Sequence, residues 1–135
     1  DTKRLGDLSD ISVFLEQYRA REGHYTILAA GSFIVGSTTS VWPSWAQTLG
    51  KEIARELPVD PLNELGHCKG YDTVTCWNER SKQFAGRIPD ALPSASHVYL
   101  YKVLDKAGSQ YTLCGIMESG MVRNANTRFA CAQSN

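Results

Sequence analysis

The sequence contains no run of about 20 apolar residues, the length that a helix needs to cross a bilayer, and no signal peptide. It also has no excess of either charge, because Lys plus Arg and Asp plus Glu number 14 each. A balanced chain is not expected to bind nucleic acid or anionic membranes through its overall charge. These absences hold for the 135 residues of the sequence and leave open an apolar segment upstream of Asp1.

Catalytic motifs are missing as well. The sequence has no Gly-x-Ser-x-Gly, no His-Glu-x-x-His and no glycine-rich phosphate loop. Its three histidines, His24, His67 and His97, have no acidic partner at a recognisable spacing. We therefore expect a protein that is not an enzyme and that needs no cofactor.

Zinc-type cysteine spacing is also absent, although the chain has four cysteines: Cys68, Cys76, Cys114 and Cys131. An even number without metal spacing favours two disulfides and an oxidising, extracytoplasmic location. Of the three possible connectivities we prefer the pairs closest in sequence, Cys68–Cys76 and Cys114–Cys131. Each would stabilise the fold by about 2–4 kcal/mol. The alternative is four unrelated buried thiols.

Residues 1–22 carry an amphipathic helical pattern, and Gly23 is a natural C-terminal stop. The apolar positions recur at steps of three and four, the period of one buried helix face. They are Leu5, Leu8, Ile11, Phe14, Leu15 and Tyr18. The pattern predicts a long helix that packs along a sheet or a second element.

A second, shorter helix is predicted over residues 44–57. Ser44 and Gln47 have the spacing of a capping box, and Pro58 ends the apolar pattern. The preceding segment, residues 26–41, predicts an irregular connection with one short strand at Ser32–Val35.

The C-terminal part predicts antiparallel strands within residues 97–132. "HVYLYKVL" and "QYTLCGIME" are rich in aromatic and β-branched residues, and Asp105–Ser109 joins them as a hairpin. "TRFACA" is a candidate third strand. With the helix first and the strands last, residues 1–135 are predicted to form one α+β domain, a long helix on an antiparallel sheet of three to four strands.

Three segments together resemble one protein family. They are "DTKRLGDLSDISVFLEQYRAREGHY", "LPVDPLN" and "YLYKVLDKAGSQYTLCGIMES". In this order they are similar to the outer half of the N-terminal helix, the middle segment and the hairpin of type IV pilins and type II secretion pseudopilins. The helix pattern is carried by Asp1, Arg4, Asp7, Leu8, Ile11, Leu15, Tyr18, Gly23 and Tyr25. One departure is Thr26, where the family usually has proline.

The resemblance implies a pilin-like fold and a subunit that polymerises into an extracellular filament on a bacterial surface, for adhesion, motility or secretion. It also implies a leader and an apolar half-helix of roughly 25 residues upstream of Asp1, which would anchor the subunit in the inner membrane before assembly. Its partners would be other pilin subunits. On the proximal helix, we predict Asp1, Lys3, Arg4 and Asp7 as filament contacts, because opposite charges on neighbouring subunits could set the register.

Other interpretations remain open. Within the family the alternative is a minor pilin or pseudopilin; outside it, a disulfide-stapled adhesin or binding module. Calcium could bind at Asp60 and Asn63 or at Asp72 and Glu79, but turn chemistry explains such residues more often, and we predict no metal. The absence of acidic residues after Glu118 argues against the pseudopilins that carry a C-terminal calcium loop.

The tryptophans Trp42, Trp45 and Trp77 allow an exposed stacking patch or a buried core. We prefer the core for Trp45. No Lys/Arg cluster indicates a nucleic-acid partner.

Overall fold

The computed structural model describes residues 1–66, 68–89, 91–93, 95–118 and 129–134. Within them the fold is α+β, with one long helix and a four-stranded antiparallel sheet. The coarse class predicted from the sequence is therefore confirmed. Residues 119–128, which include the start of "TRFACA", lie outside the described residues, as do His67 and Asn135.

Helix α1 spans Thr2–Glu22, in agreement with the prediction. Gly23 ends it with φ of 87°, a left-handed conformation that costs glycine little, and the Gly23 N–H donates to the Arg19 carbonyl at 2.7 Å. One stripe of the helix is buried, and it begins with a charged residue. The stripe comprises Arg4, Leu8, Ile11 and Leu15.

The main sheet contains β1 (Ser37–Thr39), β4 (Tyr99–Val103), β5 (Tyr111–Ile116) and β6 (Phe129–Gln133). These strands lie in the order β1-β4-β5-β6, and each neighbouring pair is antiparallel. A separate two-stranded ribbon pairs β2 (Trp77–Asn78) with β3 (Gln83–Phe84). The strand predicted at Ser32–Val35 is wrong: within these residues the β pairing is limited to an isolated bridge between Ile34 and Ser37, in the turn before β1.

The hairpin between β4 and β5 is confirmed. Leu104 N–H donates to the Gln110 carbonyl at 2.9 Å, and the Asp105 carboxylate accepts from the Ser109 N–H at 2.8 Å. Asp105 therefore closes the turn with its own side chain, the behaviour that makes Asp frequent in turns.

The second helix is shorter than the predicted 44–57. Residues 43–52 are helical, and Trp45–Gly50 form a π-helix, in which the backbone bonds reach one residue further than in an α-helix. Ala54, with φ of 56°, lies outside the helical conformation and ends it before Pro58. The predicted capping box is also wrong, because Ser44 makes no side-chain cap. Its hydroxyl lies 2.5 Å from the Thr38 hydroxyl instead.

Apolar side chains cover both faces of the sheet. The face that carries Tyr99, Tyr101 and Leu113 packs against α1 and the π-helix. The opposite face carries Leu100 and Cys114, and it packs against the loop-rich middle of the chain. Successive strand residues point to opposite faces, so one sheet can support both clusters. The sheet is thus the central layer, with α1 on one side of it.

Candidate assembly surface on helix α1

The charged residues predicted as filament contacts are Asp1, which precedes α1, and three residues of its first two turns, and the structure gives them different roles. Lys3 keeps 60% of its side chain exposed and donates to Asp7 at 2.6 Å. Arg4, in contrast, is only 2% exposed. A buried charge is costly unless it is paired, so the surroundings of Arg4 decide whether the helix can pack as it does.

Asp60 provides that pairing. Arg4 Nε lies 2.7 Å from Asp60 Oδ2, and Nη2 lies 3.1 Å from Oδ1, which is the two-pronged geometry of a strong guanidinium–carboxylate pair. The remaining donors contact Asp1 Oδ1 at 3.0 Å and Glu118 Oε1 at 3.2 Å. The first turn of α1 is thereby tied to the loop around Asp60 and to the end of β5.

Asp60 is itself 1% exposed and is held by its own loop. Its Oδ1 accepts from the N–H groups of Leu62 at 2.8 Å and Asn63 at 3.3 Å. Burial alone would raise the pKa of Asp60. The hydrogen bonds from Arg4, Leu62 and Asn63 and the charge of Arg4 outweigh burial, so this pKa lies below its ordinary value. The hydrogen bond to Asp60 likewise raises the pKa of Arg4.

Asp7 links the helix to the sheet. Its Oδ2 accepts from the Tyr99 hydroxyl at 2.6 Å as well as from Lys3. Burial and this contact raise the pKa of Tyr99. Of the four predicted residues, Lys3 therefore has the most exposed side chain. Arg4 and Asp7 form hydrogen bonds with other residues of the chain.

Asp1 completes the start of the helix. Its side chain makes no capping hydrogen bond to the helix backbone; it accepts instead from Arg4 and from the Glu118 N–H at 2.9 Å. The Asp1 carbonyl accepts from the Leu5 N–H at 2.9 Å, as in the interior of a helix.

Two disulfides cross-link the chain outside α1. Cys68 is bonded to Cys76, and Cys114 to Cys131, which is the pairing preferred from the sequence. The second bond joins directly opposite residues of β5 and β6, so it locks the edge strand onto the sheet. Two disulfides are typical of proteins that fold in an oxidising compartment.

The tryptophans do not form an exposed stacking patch. Trp42 is 2% exposed and Trp77 7%. The Phe33 ring stacks on Trp77, with centroids 4.9 Å apart, and Trp42 packs edge-on against both. Trp45 is also buried, and its Nε1 donates to the Pro58 carbonyl at 3.0 Å. These rings belong to the two cores, and an adhesive role for them is not supported.

The residues considered for calcium have other partners. Asp60 is engaged by Arg4, and the Asp72 carboxylate accepts from the N–H groups of Val74 and Thr75, each at 2.8 Å. In the part of the chain that the structure describes, no three His, Cys, Asp or Glu side chains are grouped so as to hold a metal ion.

Comparison of the chain with protein-family models, curated proteins and solved structures gave no match. Among the described residues, no helix combines the length and the apolar character needed to cross a membrane.

Proposed function

We propose that this chain is the coat domain of a subunit of a type IV pilus-like filament on the bacterial surface. The subunit polymerises with copies of itself and has a structural rather than a catalytic role. An apolar half-helix upstream of Asp1 would anchor it in the inner membrane before assembly and would form the filament core afterwards through burial of apolar area.

The observation that carries the proposal is how α1 packs onto the sheet and how its first turn is held. One stripe of this 21-residue helix is buried on the sheet, and its first turn is fixed by the buried Arg4–Asp60 pair. Other parts of the helix surface are exposed, with Leu5 and Val13 44% and 50% exposed. A helix held so firmly at its first turn can transmit position and tension from an upstream segment to the coat domain.

The exposed faces of α1 suit contacts between subunits. A helical polymer needs two different surfaces on each subunit that meet without closing a ring. Lys3 presents a charge at the surface, and Asp1 retains 24% side-chain exposure, so these two are the proximal contacts we favour. Arg4 and Asp7 hold this part of α1 in place through their contacts with Asp60 and Tyr99.

Deletion of the gene, followed by electron microscopy of the cells, tests this function. We expect the filaments to disappear and to return when the full-length gene is supplied on a plasmid. Normal filaments in the deletion strain would contradict a main structural role. Loss of adhesion with filaments intact would favour the adhesin alternative, and short or rare filaments would favour a minor pilin that primes assembly.

A further inference from the structure

The beginning of α1 is held to the domain differently from the rest of the helix. Of residues 2–5, only Arg4 is buried, and Leu5, the single apolar side chain among them, is 44% exposed. From Leu8 onwards the buried stripe is apolar and belongs to the core that covers the sheet. Residues 2–5, which we call the latch segment, therefore depend on ionic contacts, whereas the following turns depend on apolar burial.

Gly6 separates the latch segment from the next anchor of the helix, Asp7, whose carboxylate accepts from the Tyr99 hydroxyl at 2.6 Å. No packing contact requires glycine here, because an added Cβ would meet no other described atom within 4 Å outside the backbone of its own helix. Within a helix, glycine shifts the equilibrium away from the helical state about fivefold relative to alanine. The helix is therefore weakest between Arg4 and Asp7.

Arg4 is surrounded by acidic groups from three parts of the chain. Its guanidinium contacts Asp60 at 2.7 and 3.1 Å, Asp1 at 3.0 Å and Glu118 at 3.2 Å. Other titratable groups close to it on α1 and β4 are Lys3, Asp7 and Tyr99. Since Lys3 and Asp7 pair with each other, the three carboxylates supply the negative charge that offsets the burial of Arg4.

Acid removes this compensation but leaves the charge of Arg4 in place, because a guanidinium is not deprotonated in proteins. Once its partners are neutral, Arg4 is a buried charge without a counter-charge, which is costly. The guanidinium regains its hydration when the latch segment leaves the domain. Burial of the apolar side chains from Leu8 onwards involves no titrating group, so the rest of α1 has no such reason to detach.

We propose that the latch segment is released by acid: protonation of the carboxylates around Arg4 frees residues 2–5 from the domain, with Gly6 as the hinge, while the rest of α1 stays packed on the sheet. This is a local opening that precedes global unfolding. It goes beyond the filament function and does not depend on it, since it follows from contacts within one chain.

Residue-resolved hydrogen exchange of the 135-residue chain, measured by NMR, tests the release. The Leu5 N–H, which donates to the Asp1 carbonyl at 2.9 Å, reports on the latch segment, and the Leu15 N–H reports on the packed part of α1. After correction for intrinsic rates, the protection of Leu5 should fall about tenfold or more from about pH 7 to about pH 3, because each unit of pKa difference between closed and open states is tenfold. Leu15 should keep its protection. Loss of protection at both amides together, or at neither, would overturn the proposal.

Asp60→Asn tests the role of the carboxylates. At pH 7 its Leu5 N–H should already exchange about tenfold faster than in the wild type, and acid should accelerate it less. Asp10→Asn is the matched control, since Asp10 is an exposed carboxylate on the same helix, and it should behave as the wild type. Glu118→Gln, at a side chain that is 59% exposed, gives the same test with a smaller effect if Asp60→Asn does not fold. A wild-type acid response of Leu5 in the folded variants would refute release through these carboxylates.

Gly6→Ala tests the hinge and separates the latch from ordinary fraying of a helix end. It should slow exchange at Leu5 about fivefold and leave Leu15 unchanged, because alanine strengthens the helix at the joint. Fraying alone predicts exchange at Leu5 that responds neither to Asp60→Asn nor to acid. Unchanged exchange at Leu5 in Gly6→Ala would exclude Gly6 as the hinge.

Discussion

The Arg4 guanidinium and the Asp60 carboxylate, 56 residues apart in the chain, form a buried two-pronged ion pair with contacts of 2.7 and 3.1 Å. The side chains are 2% and 0% exposed. The pair joins the first turn of α1 to the loop on which Asp60 is held by backbone N–H groups. It positions the helix on the domain, and the filament proposal depends on that positioning.

Arg4→Met should destabilise the domain by about 3–5 kcal/mol, because it leaves the Asp60 carboxylate buried without its counter-charge. Urea unfolding measures the change. Lys3→Met is the matched control on the same turn, and we expect a change within about 0.5 kcal/mol, since Lys3 is exposed. Replacing both partners, Arg4→Met with Asp60→Leu, should recover a substantial part of the loss. Equal effects of Arg4→Met and Lys3→Met would contradict the importance of the pair.

The depressed pKa of Asp60 predicts acid sensitivity. A carboxyl whose folded pKa is below its unfolded value contributes stability above the unfolded value, about 3.9, and this contribution disappears as the pH falls through the folded pKa. The free energy of unfolding should therefore decrease below about pH 4. Asp60→Asn should be less stable at pH 7 and should show a shallower acid dependence. If the free energy of unfolding of Asp60→Asn fell with pH as steeply as that of the wild type, other carboxyls would account for the acid sensitivity.

The tyrosines predict a loss of stability at the alkaline end. Burial and the contact with Glu16 raise the pKa of Tyr25 to about 12, and burial raises the pKa values of Tyr99, Tyr101 and Tyr111. Above pH 10 the unfolded chain loses phenolic protons that the folded chain retains, so stability should fall as the pH rises. Ultraviolet titration should show most tyrosines ionising together with unfolding. Smooth ionisation near pH 10 in the folded domain would contradict their burial.

The disulfides should differ in their contributions. Replacing Cys114 and Cys131 together by alanine should cost about 2–4 kcal/mol. The corresponding Cys68/Cys76 variant should cost about 0.7 kcal/mol less on chain entropy alone, because it closes a shorter loop. The sequence separations are 17 and 8. Thermal and urea unfolding of both double variants decide the order, and a larger loss from Cys68/Cys76 would contradict it.

Local signals in the sequence predicted the local structure well. The apolar period and Gly23 gave the bounds of α1, and the polar turn at Asp105 gave the hairpin. The pairing of neighbouring cysteines is confirmed for the same reason, since short separations bring their partners together with little loss of entropy. The second helix was predicted too long because its apolar steps continue to Leu57, whereas the backbone leaves the helical region at Ala54.

The burial of Arg4 was missed, although the spacing contained a signal. Arg4 stands four residues before Leu8, in line with the buried stripe, and a charged residue at such a position suggests a buried partner. Which residue that partner is depends on contacts made far along the chain, and a single sequence does not specify them. Leu5, counted with the stripe, is instead 44% exposed.

Immunogold electron microscopy most directly tests whether the chain is a filament subunit. Antibodies raised against the 135-residue domain should decorate filaments along their whole length in wild-type cells and should bind nothing in the deletion strain. Gold confined to filament tips would reduce the role to a minor subunit. Gold spread over the cell surface, with the filaments themselves unlabelled, would contradict the account.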